Sequence, residues 1–399
     1  MGYFLTEKID FAQHNAEVRE LMAHFRVQTH ARVPVKIGGS IRNLISNPLL
    51  NTTGYSFPDF FTSAQAQINC RLEYEYYVRH HLLCDQEMGL PESWKLSLDF
   101  QNSYDQAWFG CPFRFFGPTD VPDTVEILKE NPRLLYDWDD LNPFWGRGDF
   151  MERAVEIFYQ MQKICAAGLE FHGVPVLPPD HFPGENTDGI FTVALKLRGA
   201  SETMIDMYEN PVYYHDLMDF ITQNLIRRIT AHRDWARKNG AEDSGESQPG
   251  DFNYADDSIA MLSRAQFREF VYPYQKRLFA EFSDGSGCNI HLCGDATHHF
   301  KFLADEFNVR AFDTGFPVDH GALRRELGPD IQINGGPSVM LLKNGTPTEI
   351  AAETKAICDS GVMDGKRFVL IAANNLAPCT PVENILAFYA AGKKFGYYS

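Results

Sequence analysis

Asn289-Ile290-His291-Leu292-Cys293-Gly294-Asp295 is the stretch from which the fold can be read outward. Polar and apolar residues alternate along it, with the two-residue period of a strand, and it stops at a glycine and an acid. Four more short runs in the same half of the chain share this character: Phe252–Ala255, Val309–Asp313, Ile331–Gly335 and Arg367–Ala372. Each is followed by a polar or Gly-rich turn and then by apolar residues at helical spacing. Strands that alternate with helices predict parallel strands joined by crossover helices, an α/β fold. The helix starts agree. Ser263 with Gln266, Thr346 with Glu349 and Thr380 with Glu383 read as capping boxes, and Pro347 and Pro381 occupy the first helical position, where a missing N–H costs least.

The first half is less regular. Ile9–His24 reads as an amphipathic helix, and Arg32–Ile37 as a strand ending in Gly38-Gly39-Ser40. Ala64–Leu83 is a long helical pattern and Lys95–Phe100 a second strand. Gly117–Trp145, rich in Pro, Asp and Trp, reads as an ordered excursion. Met151–Phe171 and Pro211–Lys238 read as helices, and Asn239–Gly250 as a polar loop that marks no domain boundary, because strands resume at once. A length of 399 residues allows two or three average domains. Barrels of alternating strands and helices also reach this length as one domain when they carry insertions.

Composition excludes several classes. The hydrophobic share is 44%, enough for a large core. No run of uncharged apolar residues reaches membrane-spanning length, and Met1–Asp10 carries Glu7, Lys8 and Asp10, unlike a secretory signal. A net charge of −17 repels phosphate backbones, so nucleic acid is not an expected partner. Eight cysteines are scattered without a C-x-x-C pair, which fits reduced thiols in a cytoplasmic protein.

Candidate chemistry gathers at the predicted strand ends. Alternation puts His291 and Cys293 on one face, about 7 Å apart along the strand. A neutral imidazole and a thiolate on one face suit zinc, given further ligands. The same pair also reads as a packed thiol and a hydrogen-bonded core histidine. Of the adjacent Asp256 and Asp257, at most one points into the site, as a general acid or base. His298 and His299 read as an exposed first helical turn. Asp99, with Tyr104, Asp105, Trp108 and Phe109 close behind, suits a ligand with a flat or cationic part, or an aromatic wall of the core. Asp313 ends its strand and faces the pocket or caps the loop. Gly335-Gly336-Pro337-Ser338 allows close backbone approach to a ligand but lacks the residues of a phosphate loop. Asn374 and Asn375 follow the last strand and need hydrogen-bond partners in ligand or loop.

Taken together, these segments resemble a known family. Phe267-Arg268-Glu269-Phe270-Val271-Tyr272-Pro273-Tyr274, His291-Leu292-Cys293-Gly294, Gly345-Thr346-Pro347 and Thr380-Pro381-Val382-Glu383-Asn384-Ile385 are similar to the uroporphyrinogen decarboxylase and cobamide-dependent methyltransferase superfamily. So is Gly189–Met218, with its Leu-Arg-Gly segment and Glu209-Asn210-Pro211. The similarity covers most of Gly189–Ser399 and is fainter over Arg32–Phe116. It implies a (β/α)8 TIM barrel over 32–399, with residues 1–31 as an N-terminal helical extension and the whole chain as a single domain.

One branch of the family decarboxylates uroporphyrinogen without metal, using an aspartate at an early strand and an arginine-rich loop. Asp99 is the candidate for that aspartate, but the matching loop, Gly38–Asn43, holds a single arginine, Arg42. The other branch comprises methyltransferases that act with corrinoid proteins, many with zinc on a His-x-Cys pair and a later cysteine. His291 and Cys293 match two ligands; the third position is Asn374, with Cys379 five residues on.

The expected function is a corrinoid-linked methyltransferase moving a methyl group between a small methylated substrate and a corrinoid (cobalamin) protein. A metal-free decarboxylase of a tetrapyrrole or other carboxylate is one alternative; a non-catalytic ligand-binding barrel is another. Asp99, Asp256, Asp257 and His291 are the catalytic candidates. Arg42, Tyr104, Trp108, Asp313 and Asn374 are the substrate-binding ones. His291 and Cys293 are the metal candidates, with Cys379 as a reserve. The resemblance also makes a homodimer an expectation.

Overall fold

The computed structural model describes residues 2–182, 184–240, 252–283 and 287–398. Its centre is a sheet of seven strands: β1 (Val35–Lys36), β2 (Thr187–Asp188), β3 (Phe252–Ala255), β4 (Cys288–Leu292), β5 (Val309–Thr314), β6 (Gln332–Gly335) and β7 (Phe368–Ile371). They are ordered β1-β7-β6-β5-β4-β3-β2, and every neighbouring pair is parallel. The five runs predicted in the second half are all strands of this sheet, each within a residue or two of its expected bounds. Arg32–Ile37 contributes only Val35–Lys36.

Alternation decides what each face of the sheet does. On β4, Cys288, Ile290 and Leu292 are buried against the helices, while Asn289 and His291 are half-buried on the opposite face. Likewise β3 buries Phe252 and Tyr254 and turns Asn253 and Ala255 the other way. The apolar face stabilises the fold, each fully buried large side chain contributing roughly 1.5–3 kcal/mol. The other face is left polar: Asn289 Nδ2 donates to Asn253 Oδ1 at 3.0 Å, and Gln332 Nε2 to Asn334 Oδ1 at 2.8 Å.

The main helices are α1 (Phe11–Arg26), α2 (Ala64–His81), α3 (Tyr104–Trp108), α4 (Ile190–Arg198), α5 (Pro211–Lys238), α6 (Thr297–Phe307), α7 (Pro347–Ile357) and α8 (Val382–Phe395). The capping boxes at Ser263/Gln266 and Thr346/Glu349 form as predicted. The third does not. Pro381 is the N-cap of α8, and the Thr380 hydroxyl donates instead to Ala377 O at 2.7 Å. Between α5 and β3, residues 241–251, most of the predicted polar loop, lie outside the described residues.

Two expectations in the first half need correction. Met151–Phe171 is not one helix: it spans Asp149–Ala166. Gly168, His172 and Gly173 then take left-handed φ of 89°, 51° and 75°, and Glu170–Phe171 pairs back on Val174–Leu177. Lys95–Phe100 does not join the central sheet as a second strand. Trp94–Lys95 pairs with Val174–Leu177 in a separate sheet, held there by the Trp94 indole N–H donating to Phe171 O at 2.9 Å. The predicted excursion Gly117–Trp145 is ordered and buries Leu128, Leu135, Trp138 and Leu141. A contiguous hydrophobic cluster runs from Val33 to Tyr389. Among the described residues, no helix is long and apolar enough to cross a membrane.

Candidate functional site

The polar face of the sheet lines a cavity of about 1220 Å³. Asp188, Asn253, His291, Asp313 and Asn334 line it from five of the strands, and Leu98–Gln101 line it from the segment after Trp94–Lys95. Its far end reaches Met22, Phe25 and Arg26 of α1.

His291 is the hub at the C-terminal ends of the strands. Its Nδ1 lies 2.7 Å from Asp313 Oδ2 on the neighbouring β5, and its Nε2 lies 2.7 Å from Cys293 Sγ. The shared face predicted for His291 and Cys293 is therefore present, and the two side chains converge. Burial opposes the charged imidazolium, but the hydrogen bonds and charges of Asp313 and Cys293 outweigh it and raise the His291 pKa to about 11. β4 ends just before Cys293, and Gly294 turns the chain with φ 86°. Gly315 comes so close that a Cβ there would lie 2.6 Å from Cys293 Cα.

Asp256 and Asp257, which follow β3 where the chain enters a short helical turn, part company. Asp256 is fully buried and faces α4, accepting from Thr192 N at 3.0 Å, Thr192 Oγ1 at 2.8 Å and Tyr254 Oη at 3.0 Å. Burial pushes its pKa up to about 6 against those hydrogen bonds. A Cβ on Gly189 would fall 1.9 Å from Asp256 Cγ, so only glycine fits there. Asp256 thus holds the start of α4 and does not line the cavity. Asp257 turns to the site. Its Oδ1 accepts from Cys293 N at 2.5 Å and lies 3.9 Å from His291 Nε2.

Asn374 arrives from the loop after β7, and its Nδ2 donates to Cys293 Sγ at 2.9 Å. Cys379, with φ 64°, lines a separate small cavity with Asn43, Tyr77 and Leu82. Asp99 accepts from Gln101 N and Nε2, both at 2.7 Å, and pairs with Arg71 at 3.3 Å. Arg42 Nε donates to Gln101 Oε1 at 2.9 Å, so Gln101 connects the two predicted charges. Tyr104 lines the cavity. Trp108 does not: it is fully buried beneath Arg228, whose guanidinium carbon is 5.4 Å from its ring. As a substrate contact Trp108 is corrected; it is the core wall. His299 is also corrected, because its ring is fully buried and its Nε2 lies 2.9 Å from Ile259 O and 3.0 Å from Leu262 O.

Asp188, at the end of β2, is a cavity acid that the sequence reading missed. Burial and the neighbouring charges of Asp105, Asp257 and Asp256 raise its pKa to about 8. Asp105 accepts from Asp188 N at 2.8 Å and is paired with the fully buried Arg228 at 2.5 Å. The available signal was an acid at a strand end, directly before the glycine that opens α4.

Asp257, His291 and Cys293 place an oxygen, a nitrogen and a sulfur within 4.8 Å of one another. Zinc bonds of about 2.0 Å to nitrogen and 2.3 Å to sulfur put such atoms roughly 3.5 Å apart, so shifts on the order of an ångström admit the ion. Asp313 on Nδ1 leaves Nε2 as the donor, the usual outer support of a metal-bound histidine. The residues present therefore fit zinc.

Comparison with known proteins agrees with this part of the chain. The profile of the uroporphyrinogen decarboxylase (URO-D) family matches residues 186–395. A methylated-thiol–coenzyme M methyltransferase of Methanosarcina mazei is 30% identical over 141 residues, covering 34% of this chain and 35% of that protein. A methylcobamide:CoM methyltransferase of the same organism is 23% identical over 141 residues, covering 35% and 40%. The matched region thus spans little more than a third of these relatives' length. A solved methyltransferase from Methanosarcina mazei superposes with a TM-score of 0.58 at 17% identity, covering 95% of this chain and 98% of that one.

Proposed function

Because this chain belongs to the uroporphyrinogen decarboxylase family, we propose that it is a methyltransferase that moves a methyl group between a small methylated substrate and the cobalt of a corrinoid protein. The observation that carries this reading is the His291 Nε2–Cys293 Sγ pair at the strand ends, with Asp313 behind the imidazole. The matched relatives with methyltransferase names support it.

In this reading the chain is one domain, and the sheet is the wall of a (β/α)8 barrel. Leu98–Gln101, which line the same cavity as Lys36 and Asp188, would close the barrel between β1 and β2. His291 and Cys293 would hold zinc, which lowers the pKa of a bound thiol and makes its thiolate a nucleophile near neutral pH. Asp313 fixes the imidazole's orientation and keeps its Nδ1 protonated. Asn374 donates to the Cys293 sulfur at 2.9 Å and helps to hold it in place.

Asp188, protonated near neutral pH, sits where it can give its proton to a heteroatom that loses its methyl group. A reduced corrinoid, when bound, would supply the electron pair that accepts the methyl group; the heteroatom would keep the pair of the broken bond and take the proton of Asp188, which solvent would restore. Asp99 and Tyr104 line the substrate's side of the cavity.

The loop that grips carboxylates in the decarboxylase branch holds a single arginine here, Arg42, which weighs against that branch. The charge of the cavity does not decide between the branches: Asp99, Asp105, Asp188 and Asp313 line it, and so do Arg26, Lys36, Arg310, Lys366 and Arg367.

The test is methyl transfer with free cobalamins, read by absorbance. The expected result is demethylation of a methylated thiol, amine or ether onto reduced cobalamin, or of methylcobalamin onto a thiol. Loss of activity by about 100-fold or more in His291→Ala and Cys293→Ser would match an essential site. Carbon dioxide release from a carboxylate substrate, with no methyl turnover, would overturn the reading.

A further inference from the structure

The residues at the metal candidate pair leave one question that the family pattern does not answer. A cysteine would be expected after the last strand, and Asn374 stands there. Its amide group donates to the Cys293 sulfur at 2.9 Å, so it acts as a hydrogen-bond donor to a ligand and offers that sulfur no competing anion. Cys379 does not make up the loss, since it lines a different cavity and takes no part in the three-residue cluster.

We infer that Asp257 supplies the third metal ligand, giving a mixed nitrogen, sulfur and oxygen site of His291, Cys293 and Asp257. This deepens the zinc part of the proposed function and rests on it. Three observations lead here. First, Asp257 Oδ1 lies 3.9 Å from His291 Nε2 and within 4.8 Å of Cys293 Sγ. Second, its direction is imposed. Asp256 is locked towards α4 by Thr192 and Tyr254, and Asp257 is held in the cluster by accepting from Cys293 N at 2.5 Å. Third, charge is conserved. One thiolate and one carboxylate around a dication give the same formal balance as the two thiolates of a His/Cys/Cys site.

The exchange changes the metal's chemistry. A carboxylate oxygen donates less electron density than a thiolate and is a harder ligand. The ion keeps more of its Lewis acidity, so a neutral thiol or hydroxyl in the open fourth position is deprotonated more readily. The site remains open, because three protein ligands leave one tetrahedral position for substrate.

Metal binding tests this without any methyl-transfer assay. Full-length wild type, Asp257→Ala, Asp257→Asn, Asp257→Cys and Cys379→Ser are titrated with zinc against a chromophoric chelator and, separately, loaded with cobalt(II). Circular dichroism and thermal melts check that each variant folds. The expected result is about one zinc per wild-type chain, unchanged in Cys379→Ser. Affinity should fall by more than about 100-fold in Asp257→Ala and Asp257→Asn, beyond the 10–100-fold typical of an outer-shell loss. Asp257→Cys should bind zinc and roughly double the intensity of the sulfur-to-cobalt charge-transfer band, because it restores a second thiolate. Wild-type affinity in folded Asp257→Ala, or loss of metal in Cys379→Ser, would overturn the assignment, as would a wild type that takes up no metal. Tight binding that depends on Asp257, with no methyl turnover, would leave the ligand assignment standing and count against the methyltransferase reading alone.

Discussion

His291 and Asp313 sit on neighbouring parallel strands, and the imidazole Nδ1 meets the carboxylate Oδ2 across 2.7 Å. The pairing register sets them directly opposite each other. Asp313 therefore acts through His291, and its removal should weaken the site without abolishing it. Asp313→Ala is expected to lower zinc affinity by about 10–100-fold, read by chelator competition. An unchanged affinity would mean that His291 needs no support from β5.

Asp188 should leave a signature in the pH dependence of stability. Its pKa is raised to about 8 in the folded chain by burial and by Asp105, Asp257 and Asp256. Above its unfolded value near 4, the native chain still holds a proton that the unfolded chain has released. Stability therefore falls as pH rises from about 4 to about 8. Asp188→Asn removes this term. Its Tm is expected to decline less than that of wild type between about pH 5 and pH 8, measured by calorimetry. A steeper decline in the variant would place the raised pKa elsewhere.

Arg228 and Asp105 form a buried ion pair at 2.5 Å, with the guanidinium carbon 5.1 Å from the Tyr104 ring centroid. Arg228→Leu leaves the buried Asp105 carboxylate without its cation. The expected loss of stability is about 3–5 kcal/mol, from urea unfolding. The double variant with Asp105→Asn should recover part of that loss. No recovery would show that Arg228 matters for packing alone.

Asp256 and Asp257 are neighbours with opposite expectations. Asp256→Ala leaves the Thr192 and Tyr254 donors buried without their acceptor, at a cost of about 3 kcal/mol, yet metal affinity should stay within a few-fold of wild type. Asp256→Ala that keeps its stability and loses metal would reverse the roles given to the two acids.

The second half of the chain was legible because its strands obey simple rules. Phe252–Ala255 and the strand through His291 alternate, and the helices that start at Ser263 and Thr346 carry marked caps. Lys95–Phe100 misled because alternation says nothing about partners. Its first residues pair with Val174–Leu177 in a separate sheet, while Leu98–Gln101 reach the cavity without a ladder bond to β1 or β2 among the described residues. At the site, His291 and Cys293 were visible as a spaced pair, and one inward acid was expected of Asp256 and Asp257. Which one turned inward depended on Thr192, sixty-four positions away from Asp256 in sequence. Trp108 looked like a ligand contact because aromatic clusters in a sequence carry no sign of depth. Asp188 escaped notice because β2 has only two residues, too few to show a period.

The Asp257–His291–Cys293 cluster contains one sulfur. A site with two thiolates can eject its metal by closing a disulfide between them. Here no second thiol belongs to the cluster, so an oxidant has a single sulfur to attack. The first product is a sulfenic acid, which small thiols reduce back. With Asp257 as the proposed third ligand, the encounter of such a centre with peroxide or air would be repairable.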